Sequence, residues 1–300
     1  MARSLEELTR PYCITSGKGF RLKDIDPRDT GGLVADKEEA NELLRQQVQR
    51  LTELQETLYA QNSWALLVIL QALDAAGKDG TIKHVMSGVN PQGCEVTSFK
   101  VPSAQELGHD FLWRATRVLP GRGRIGIFNR SYYEEVLVVR VHPDLLLRQR
   151  LPESRVGKEI WEQRCRDMVA LESYLDRNGM VVRKFYLHLS KEEQRQRFLK
   201  RLERPDKQWK FSASDFEERR FWERYVEAYE DAIRATASEH APWYVVPADH
   251  KWFTHLVVAS AIVESLAKMH LAYPEVPPAE RKRLTAIREA LEGEGQPARS

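Results

Sequence analysis

The segment Gln71–Thr81, with the sequence QALDAAGKDGT, contains residues that could hold a phosphate group. It follows the apolar run 64–70, which predicts a buried strand, and its last residues can begin a helix. Gly77 and Gly80 would let backbone amides approach an anion at the positive end of that helix. Lys78 adds a full positive charge beside them. The segment therefore predicts a phosphate-binding loop.

Three residues of this segment do not fit a simple phosphate loop. The usual pattern G-x-x-x-x-G-K-[ST] is broken at Ala72, which replaces the first glycine, and at Asp79, which follows the lysine. Asp74 adds a carboxylate, which repels phosphate unless a divalent cation lies between them. An ordinary strand–turn–helix connection with charged surface residues is the alternative interpretation of the segment.

A second group of polar residues follows the predicted strand 124–128. Asn129 could supply a neutral oxygen ligand to a metal ion, and Arg130 could clamp a phosphoryl group with two hydrogen bonds. The alternative is a helix start at which Ser131 caps the first turn. Ligands of open parallel sheets bind at the carboxyl ends of the strands, which is where both groups of residues lie.

Two segments carry a large excess of basic residues. Residues 111–133 contain five arginines (Arg114, Arg117, Arg122, Arg124 and Arg130) and no acidic residue. Residues 191–210 contain eight lysines and arginines against four acidic residues. Arg197, Lys200 and Arg201 would lie along one helix of the second segment, and Lys210 follows in a loop. Each segment alone could be a solvated face, but together they indicate a substrate with many phosphates or a lid that closes over phosphates.

Short β-rich runs alternate with helical patterns along most of the chain, which predicts an α/β fold with a parallel sheet covered by helices. The predicted strands are 64–70, 95–99, 124–128, 180–187 and 243–246. The predicted helices are 37–60, 79–87, 103–118, 156–178, 191–204, 215–238 and 248–272. The patterns Ser190–Glu193 and Ser214–Glu217 match capping boxes, and Asp249 is interpreted as a helix start. Residues 1–36 are predicted to form an irregular arm, and the tail after 273 a surface helix with a frayed end.

The bulk properties exclude several classes of protein. The chain has 300 residues, 42% of them apolar, and a net charge of only +2. A general nucleic-acid-binding protein is disfavoured by that charge, and no apolar run is long enough for a membrane span. The three cysteines form no CxxC pair, which argues against a zinc or disulfide framework. Without a signal-peptide pattern at the N-terminus, we expect a cytoplasmic protein.

Several motifs, in order and at these intervals, resemble the polyphosphate kinase 2 family. They are LDAAGKDGTI at 73–82, FNRSYYEEVLVVRVHP at 128–143, LHLSKEEQRQRF at 187–198, WKFSASD at 209–215, YEDAI at 229–233 and APWYVVPADHKWF at 241–253. The resemblance extends from about 19 to about 273 and is specific. The family's phosphate loop has the same form as Gln71–Thr81, so both departures are features of the family.

The resemblance implies a three-layer P-loop kinase core, with a parallel sheet of about five strands flanked by helices and a helical lid. We expect an N-terminal arm and helix at 1–60, the core at 61–273 with its lid at about 191–215, and a tail at 274–300. It implies Mg²⁺-dependent, reversible phosphoryl transfer between inorganic polyphosphate and the adenine nucleotides AMP, ADP and ATP, with Mn²⁺ as an alternative ion. Asn at position 129 resembles the subgroup that converts AMP through ADP to ATP. We also expect a homo-oligomer.

Family and residue chemistry predict the same site. The predicted catalytic residues are Asp74, Lys78, Asn129 and Arg130, and Asp74 and Asn129 are the predicted metal ligands. The predicted phosphate-binding residues are Ala75, Ala76, Gly77, Lys78, Asp79, Gly80, Thr81, Arg130, Arg197, Lys200, Arg201 and Lys210. Positioning and charge neutralisation are the main requirements of phosphoryl transfer.

The residues alone are also compatible with two other functions. One is an ATP-dependent kinase of a small molecule or nucleotide on the same core, although the doubled basic surface exceeds what one triphosphate needs. The other is a non-catalytic polyanion-binding protein, although Asp74 would repel its ligand unless a metal is present.

Overall fold

The computed structural model describes residues 5–33, 37–209 and 211–294. The strands are β1 (Cys13–Ile14), β2 (Ala65–Gln71), β3 (Cys94–Ser98), β4 (Ile125–Asn129), β5 (Met180–His188) and β6 (Trp243–Pro247). The α helices are α1 (Leu5–Thr9), α2 (Lys37–Gln61), α3 (Lys78–Val85), α4 (Trp113–Thr116), α5 (Val138–Val141), α6 (Asp144–Leu147), α7 (Ile160–Arg177), α8 (Lys191–Leu202), α9 (Pro205–Gln208), α10 (Ala213–Glu218), α11 (Trp222–Thr236), α12 (Lys251–Ala267) and α13 (Pro278–Glu294). Short 3-10 helices lie at Arg10–Tyr12, Leu22–Asp24, Pro91–Gly93, Glu106–Gly108, Tyr132–Glu135, Glu153–Arg155 and Arg219–Phe221.

The strands form one sheet in the order β1-β6-β5-β2-β4-β3. Strands β2 to β6 pair in parallel, and β1 pairs antiparallel with β6. The five strands predicted from sequence are therefore confirmed. The short β1 was not predicted, because two residues are too few to show a periodicity.

Strand β2 is buried along its whole length and separates two hydrophobic layers. Leu66, Val68 and Leu70 pack in one core with residues of α2, α3 and α12. Leu67 and Ile69 point to the other face, where α7 and α11 cover the sheet. A strand with both faces covered has no polar face, which explains its unbroken apolar sequence. The predicted α/β fold with helices on both sides of the sheet is confirmed.

The helix prediction at 103–118 is wrong. That segment contains the 3-10 helix Glu106–Gly108 and the four-residue helix α4. The Asp110 carboxylate accepts hydrogen bonds from the backbone amides of Leu112 and Trp113, at 3.0 and 3.1 Å. Such local side-chain bonds stabilise a turn in competition with a continuous helix.

The predicted helix 215–238 is divided, and its cap differs. It consists of α10, the 3-10 helix Arg219–Phe221 and α11. The Ser212 side chain, and not Ser214, caps α10 by accepting from the amide of Ser214. The surface helix predicted in the tail is confirmed as α13. Within the described ranges, no helix is both long enough and apolar enough to span a membrane.

Candidate active site

The phosphate loop, defined here as residues 72–77, connects the end of β2 to the start of α3. Ala75 and Gly77 both have left-handed backbone conformations, with φ of 64° and 107°. Glycine adopts this conformation without steric cost, whereas alanine is strained in it. Gly77 is therefore required by the turn into α3, and Ala75 must be held by its surroundings. An added Cβ at Gly80 would meet no atom within 4 Å, so the loop shape does not require this second glycine.

The Lys78 side chain lies along the loop. Its Nζ donates to the carbonyl oxygen of Ala72 at 2.8 Å. Burial, followed by repulsion from Arg130, lowers the pKa of Lys78 to about 8. An ammonium with a depressed pKa gains strongly from an anionic partner, because the partner restores the stability of its charged form.

Arg130 extends between two carboxylates beside the loop. Its Nη2 lies 3.2 Å from Asp74 Oδ1, and its Nη1 lies 3.6 Å from Glu134 Oε2. Arg130 has a φ of 64°, and its amide donates to the carbonyl of Leu70 at 3.0 Å, which ties the end of β4 to β2. Burial raises the pKa of Glu134. Sequence analysis did not select Glu134, although its position four residues after Arg130 could have indicated the pair.

Asn129, a predicted metal ligand, forms a hydrogen bond with Asp79. Its Nδ2 donates to Oδ1 of Asp79 at 2.7 Å, whereas Asp74 is paired with Arg130. Asp79 follows Lys78, at the position where the usual phosphate-loop pattern has Ser or Thr. The two predicted metal ligands, Asp74 after β2 and Asn129 at the end of β4, therefore lie at the carboxyl ends of neighbouring strands but interact with different groups.

Helix α8 lies behind the loop and holds its carbonyl groups. Gln194 Nε2 donates to the carbonyl of Asp74 at 2.9 Å. Arg197 donates to the carbonyls of Ala75, Ala76, Ala248 and Asp249, at 3.0, 2.8, 2.6 and 3.1 Å. Arg197 is only 6% exposed. This arrangement differs from the predicted phosphate contact, because both terminal nitrogens of its guanidinium already bind backbone oxygens.

Asp249 also supports α8. Its carboxylate accepts from the amide and the hydroxyl of Ser190, at 2.8 and 2.7 Å. The predicted helix start at Asp249 is wrong, since α12 begins at Lys251 and Asp249 has this other role. The Ser190 cap is confirmed, because its Oγ accepts from the amide of Glu193. Glu193 binds Arg197 at 2.8 Å instead of returning to the Ser190 amide.

The predicted lid contains the other basic site residues. Lys200 is exposed and Arg201 is half-buried at the end of α8. Neither forms an ion pair within the part of the chain that the structure describes. The Arg201 guanidinium lies over the Phe198 ring at 5.8 Å. Lys210 lies outside the described residues.

A cavity of about 450 Å³ opens between the loop and residues of the predicted lid. Its charged walls include the five carboxylates Asp74, Glu134, Asp144, Asp215 and Glu218, against the two arginines Arg130 and Arg219. Asp74 and Asp215 of α10 line the same cavity, and burial, followed by repulsion from Asp74, raises the pKa of Asp215. An acidic cavity can accept an anionic substrate only together with cations.

The donor set suits a hard cation. The described residues contain no cluster of three His, Cys, Asp or Glu side chains that could hold a metal ion by itself. Mg²⁺ typically binds one or two carboxylates together with substrate phosphates. The oxygens of Asp74 and Asn129, with Glu134 nearby, match that mode of binding.

The chain is similar to known proteins over most of its length. The family model described as polyphosphate kinase 2 (PPK2) matches residues 34–274. The chain belongs to the polyphosphate kinase 2 family.

Two similar proteins match this chain over most of their length. The ADP-polyphosphate phosphotransferase of Rhodopseudomonas palustris is 57% identical over 256 residues, which cover 85% of this chain and 89% of that protein. The AMP/ADP-polyphosphate phosphotransferase of Meiothermus ruber is 45% identical over 273 residues, which cover 91% of this chain and 98% of that protein.

A solved structure agrees with the fold. The crystal structure of polyphosphate kinase 2 from Arthrobacter aurescens is similar with a TM-score of 0.84 and 37% identity, and the match covers 95% of this chain and 97% of that one. The P-loop kinase fold expected from the sequence is confirmed.

Proposed function

We propose that this protein transfers a phosphoryl group from inorganic polyphosphate to AMP and ADP, reversibly and with Mg²⁺. The observation that carries the proposal is the family match over 34–274, which contains the whole loop and its neighbours. Relatives named as polyphosphate phosphotransferases, at 57% and 45% identity, support a polyphosphate-dependent nucleotide kinase. The nucleotide substrates and the unpaired cysteine pattern fit a cytoplasmic enzyme.

Several polar groups near the loop have roles in this proposal. The amides of Ala75 and of 77–80 would bind phosphate oxygens at the helix N-terminus, whereas the amides of Ala76 and Thr81 already donate to the carbonyls of Leu73 and Gly77. Lys78 would exchange its bond to Ala72 for a phosphate. Arg130, already oriented by Asp74 and Glu134, would stabilise charge on the transferred group.

Asp74, with Asn129, would hold Mg²⁺, which neutralises charge on the bridging phosphates when bound. Both reacting groups are phosphates, so the reaction needs no strong general base. Arg197 would act from the side of the loop away from the substrate, where it fixes the loop carbonyls so that the amides face the substrate.

The choice of acceptor is the finer part of the proposal. The Meiothermus ruber relative is named for both AMP and ADP, and the Rhodopseudomonas palustris relative for ADP alone. Asn129 has the form expected of the subgroup that uses both acceptors. We therefore propose two successive transfers, from AMP to ADP and from ADP to ATP.

The test is a time course with AMP, Mg²⁺ and polyphosphate as the sole donor. We expect ADP first and ATP later, and no product without Mg²⁺. Turnover of ADP but not AMP would restrict the proposal to the second step. Absence of any nucleotide product, together with ATP-driven phosphorylation of another acceptor, would favour an ordinary ATP-dependent kinase. Polyphosphate binding without turnover would favour a non-catalytic protein.

A further inference from the structure

The C-terminal helix α13 is exposed along its entire length. All of its residues from Pro278 to Glu294 are exposed, and none is buried. Leu284, Ile287 and Leu291 are 47%, 45% and 61% exposed. Their spacing of three and four residues places them on one side of the helix, as an apolar stripe. The helix follows residues 34–274, which the family model matches, and so lies outside that match.

The charges of α13 are divided between its two halves. Residues 280–283 contain three basic residues and one acidic residue, whereas residues 288–294 contain one basic and three acidic residues. A second α13 in the opposite direction would therefore place each basic half beside an acidic half. A parallel arrangement would place like charges together. The helix is electrostatically self-complementary only in the antiparallel direction.

We propose that α13 is a self-association element that pairs antiparallel with α13 of a second copy of this chain. In a two-fold arrangement, Leu284 contacts Leu291 of the second copy, and Ile287 lies near the symmetry axis. On the two flanks of the stripe, Arg281 faces Glu292 and Arg283 faces Glu294. Lys282 and Glu289 lie on the opposite side of the helix and remain in solvent.

The length of α13 also favours a partner. Isolated helices shorter than about 12–15 residues are marginal in water, and α13, with 17 residues, is only slightly longer. Its internal ion pair Arg288–Glu292, at 2.7 Å, is exposed and contributes little. Burial of the stripe against a second helix would stabilise both the helix and the dimer.

The first experiment is sedimentation velocity on the full chain over a wide concentration range. We expect the combined variant Leu284→Glu and Leu291→Glu to raise the dissociation constant of self-association at least tenfold. The control Ala286→Glu, on the opposite side of the helix, should leave it unchanged. A wild-type chain that stays monomeric at every concentration would overturn the proposal, as would equal self-association of the stripe variant.

Charge reversal tests the direction of pairing. Arg281→Glu with Arg283→Glu in one chain, and Glu292→Lys with Glu294→Lys in another, should each weaken self-association. An equimolar mixture should restore it, because opposite charges then meet on both flanks. Lys282→Glu is the matched control, because it reverses a charge on the solvent-facing side of the helix. It should not change self-association. If self-association stayed weak in the mixture, or if the variant Arg281→Glu with Arg283→Glu associated as strongly as the wild type, the antiparallel arrangement would be excluded. The stripe variant should retain phosphoryl transfer, which separates this test from that of the proposed function.

Discussion

The Arg197 guanidinium lies behind the phosphate loop, with its Nη1 atom 2.8 Å from the carbonyl oxygen of Ala76. The same nitrogen contacts the carbonyl of Ala75, whose backbone is in the strained left-handed conformation. Its other terminal nitrogen contacts two carbonyls that follow β6. One buried side chain thus joins the loop, which follows β2, to the segment that follows β6, although β5 lies between these two strands in the sheet. With these carbonyls bound on one side, the loop amides other than that of Ala76, which donates to Leu73, can face the substrate.

Arg197→Lys should therefore reduce catalysis through the shape of the loop. A lysine has one nitrogen and cannot reach four carbonyls, so buried oxygens lose their partners. We expect kcat to fall roughly 100-fold, since small displacements of a reacting group have effects of this size. Steady-state kinetics with polyphosphate and nucleotide provide the measurement.

Arg195→Lys is the matched control, because Arg195 is 51% exposed on the same helix and pairs with Glu192. It should change kcat less than about twofold, as expected for an exposed ion pair. If Arg197→Lys changed only the KM for polyphosphate and its salt dependence, Arg197 would contact the polymer directly, as the sequence suggested.

The pKa of Lys78 predicts how substrate binding depends on pH. Its ammonium, with a pKa of about 8, is charged below pH 8 and becomes neutral above it. A phosphate partner favours the charged form, so binding should be strongest below pH 8. We expect the substrate KM to rise above pH 8, by up to about tenfold per pH unit. Kinetics from pH 6.5 to 9.5 test this.

Lys78→Arg separates charge from position in the same experiment. Arginine stays protonated throughout this range. The variant should lose activity because its planar group is misplaced, yet its KM should no longer rise above pH 8. An unchanged rise in the variant would assign the pH dependence to another group.

The two basic residues at the end of α8 should act on the polymer. Lys200→Gln combined with Arg201→Gln should raise the KM for polyphosphate more than that for nucleotide. It should also flatten the salt dependence of the polyphosphate KM, since fewer cations then pair with the polyanion. Arg204→Gln is the control, because Arg204 is already paired with Asp206 at 2.8 Å. Equal losses for both substrates would remove these residues from the polymer site.

Local sequence patterns predicted the part of the site that lies on β2, the phosphate loop and α3, which are consecutive in the chain. Apolar residues on both faces of β2 and the glycine at position 77 are local signals, and they located the loop correctly. Helix α7 was also predicted, at 156–178 against the observed Ile160–Arg177, from the spacing of Trp161, Cys165, Met168, Glu172 and Leu175. In each case the determining contacts lie within a few residues of sequence.

Contacts between distant segments could not be predicted in the same way. Gln194 and Arg197 are separated from the loop carbonyls by about 120 residues, and nothing in the α8 sequence distinguishes a buried arginine from an exposed one. Asp249 resembles a helix cap in sequence, and only the fold brings it to Ser190. Side chains with several donors or acceptors have many local partners available, so the tertiary structure decides among them.

A fully buried ion pair, Lys184–Glu172, supports the segment that carries Arg130. The two side chains are 0% exposed, and Lys184 Nζ lies 2.6 Å from Glu172 Oε2. Burial lowers the pKa of Lys184. The hydroxyls of Tyr132 and Tyr133 donate to the other Glu172 oxygen at 2.9 and 2.8 Å, which fixes the backbone just after Arg130.

Lys184→Met should leave the Glu172 carboxylate buried without its cation. We expect the free energy of unfolding to fall by roughly 3–5 kcal/mol, measured by urea denaturation. Adding Glu172→Leu should recover part of this loss, because the uncompensated charge is removed as well. The control Arg166→Met breaks an exposed pair with Glu162 on the same helix and should cost at most about 0.5 kcal/mol. A double variant less stable than Lys184→Met would contradict this account, since the tyrosine hydroxyls, rather than the unpaired charge, would then dominate the loss.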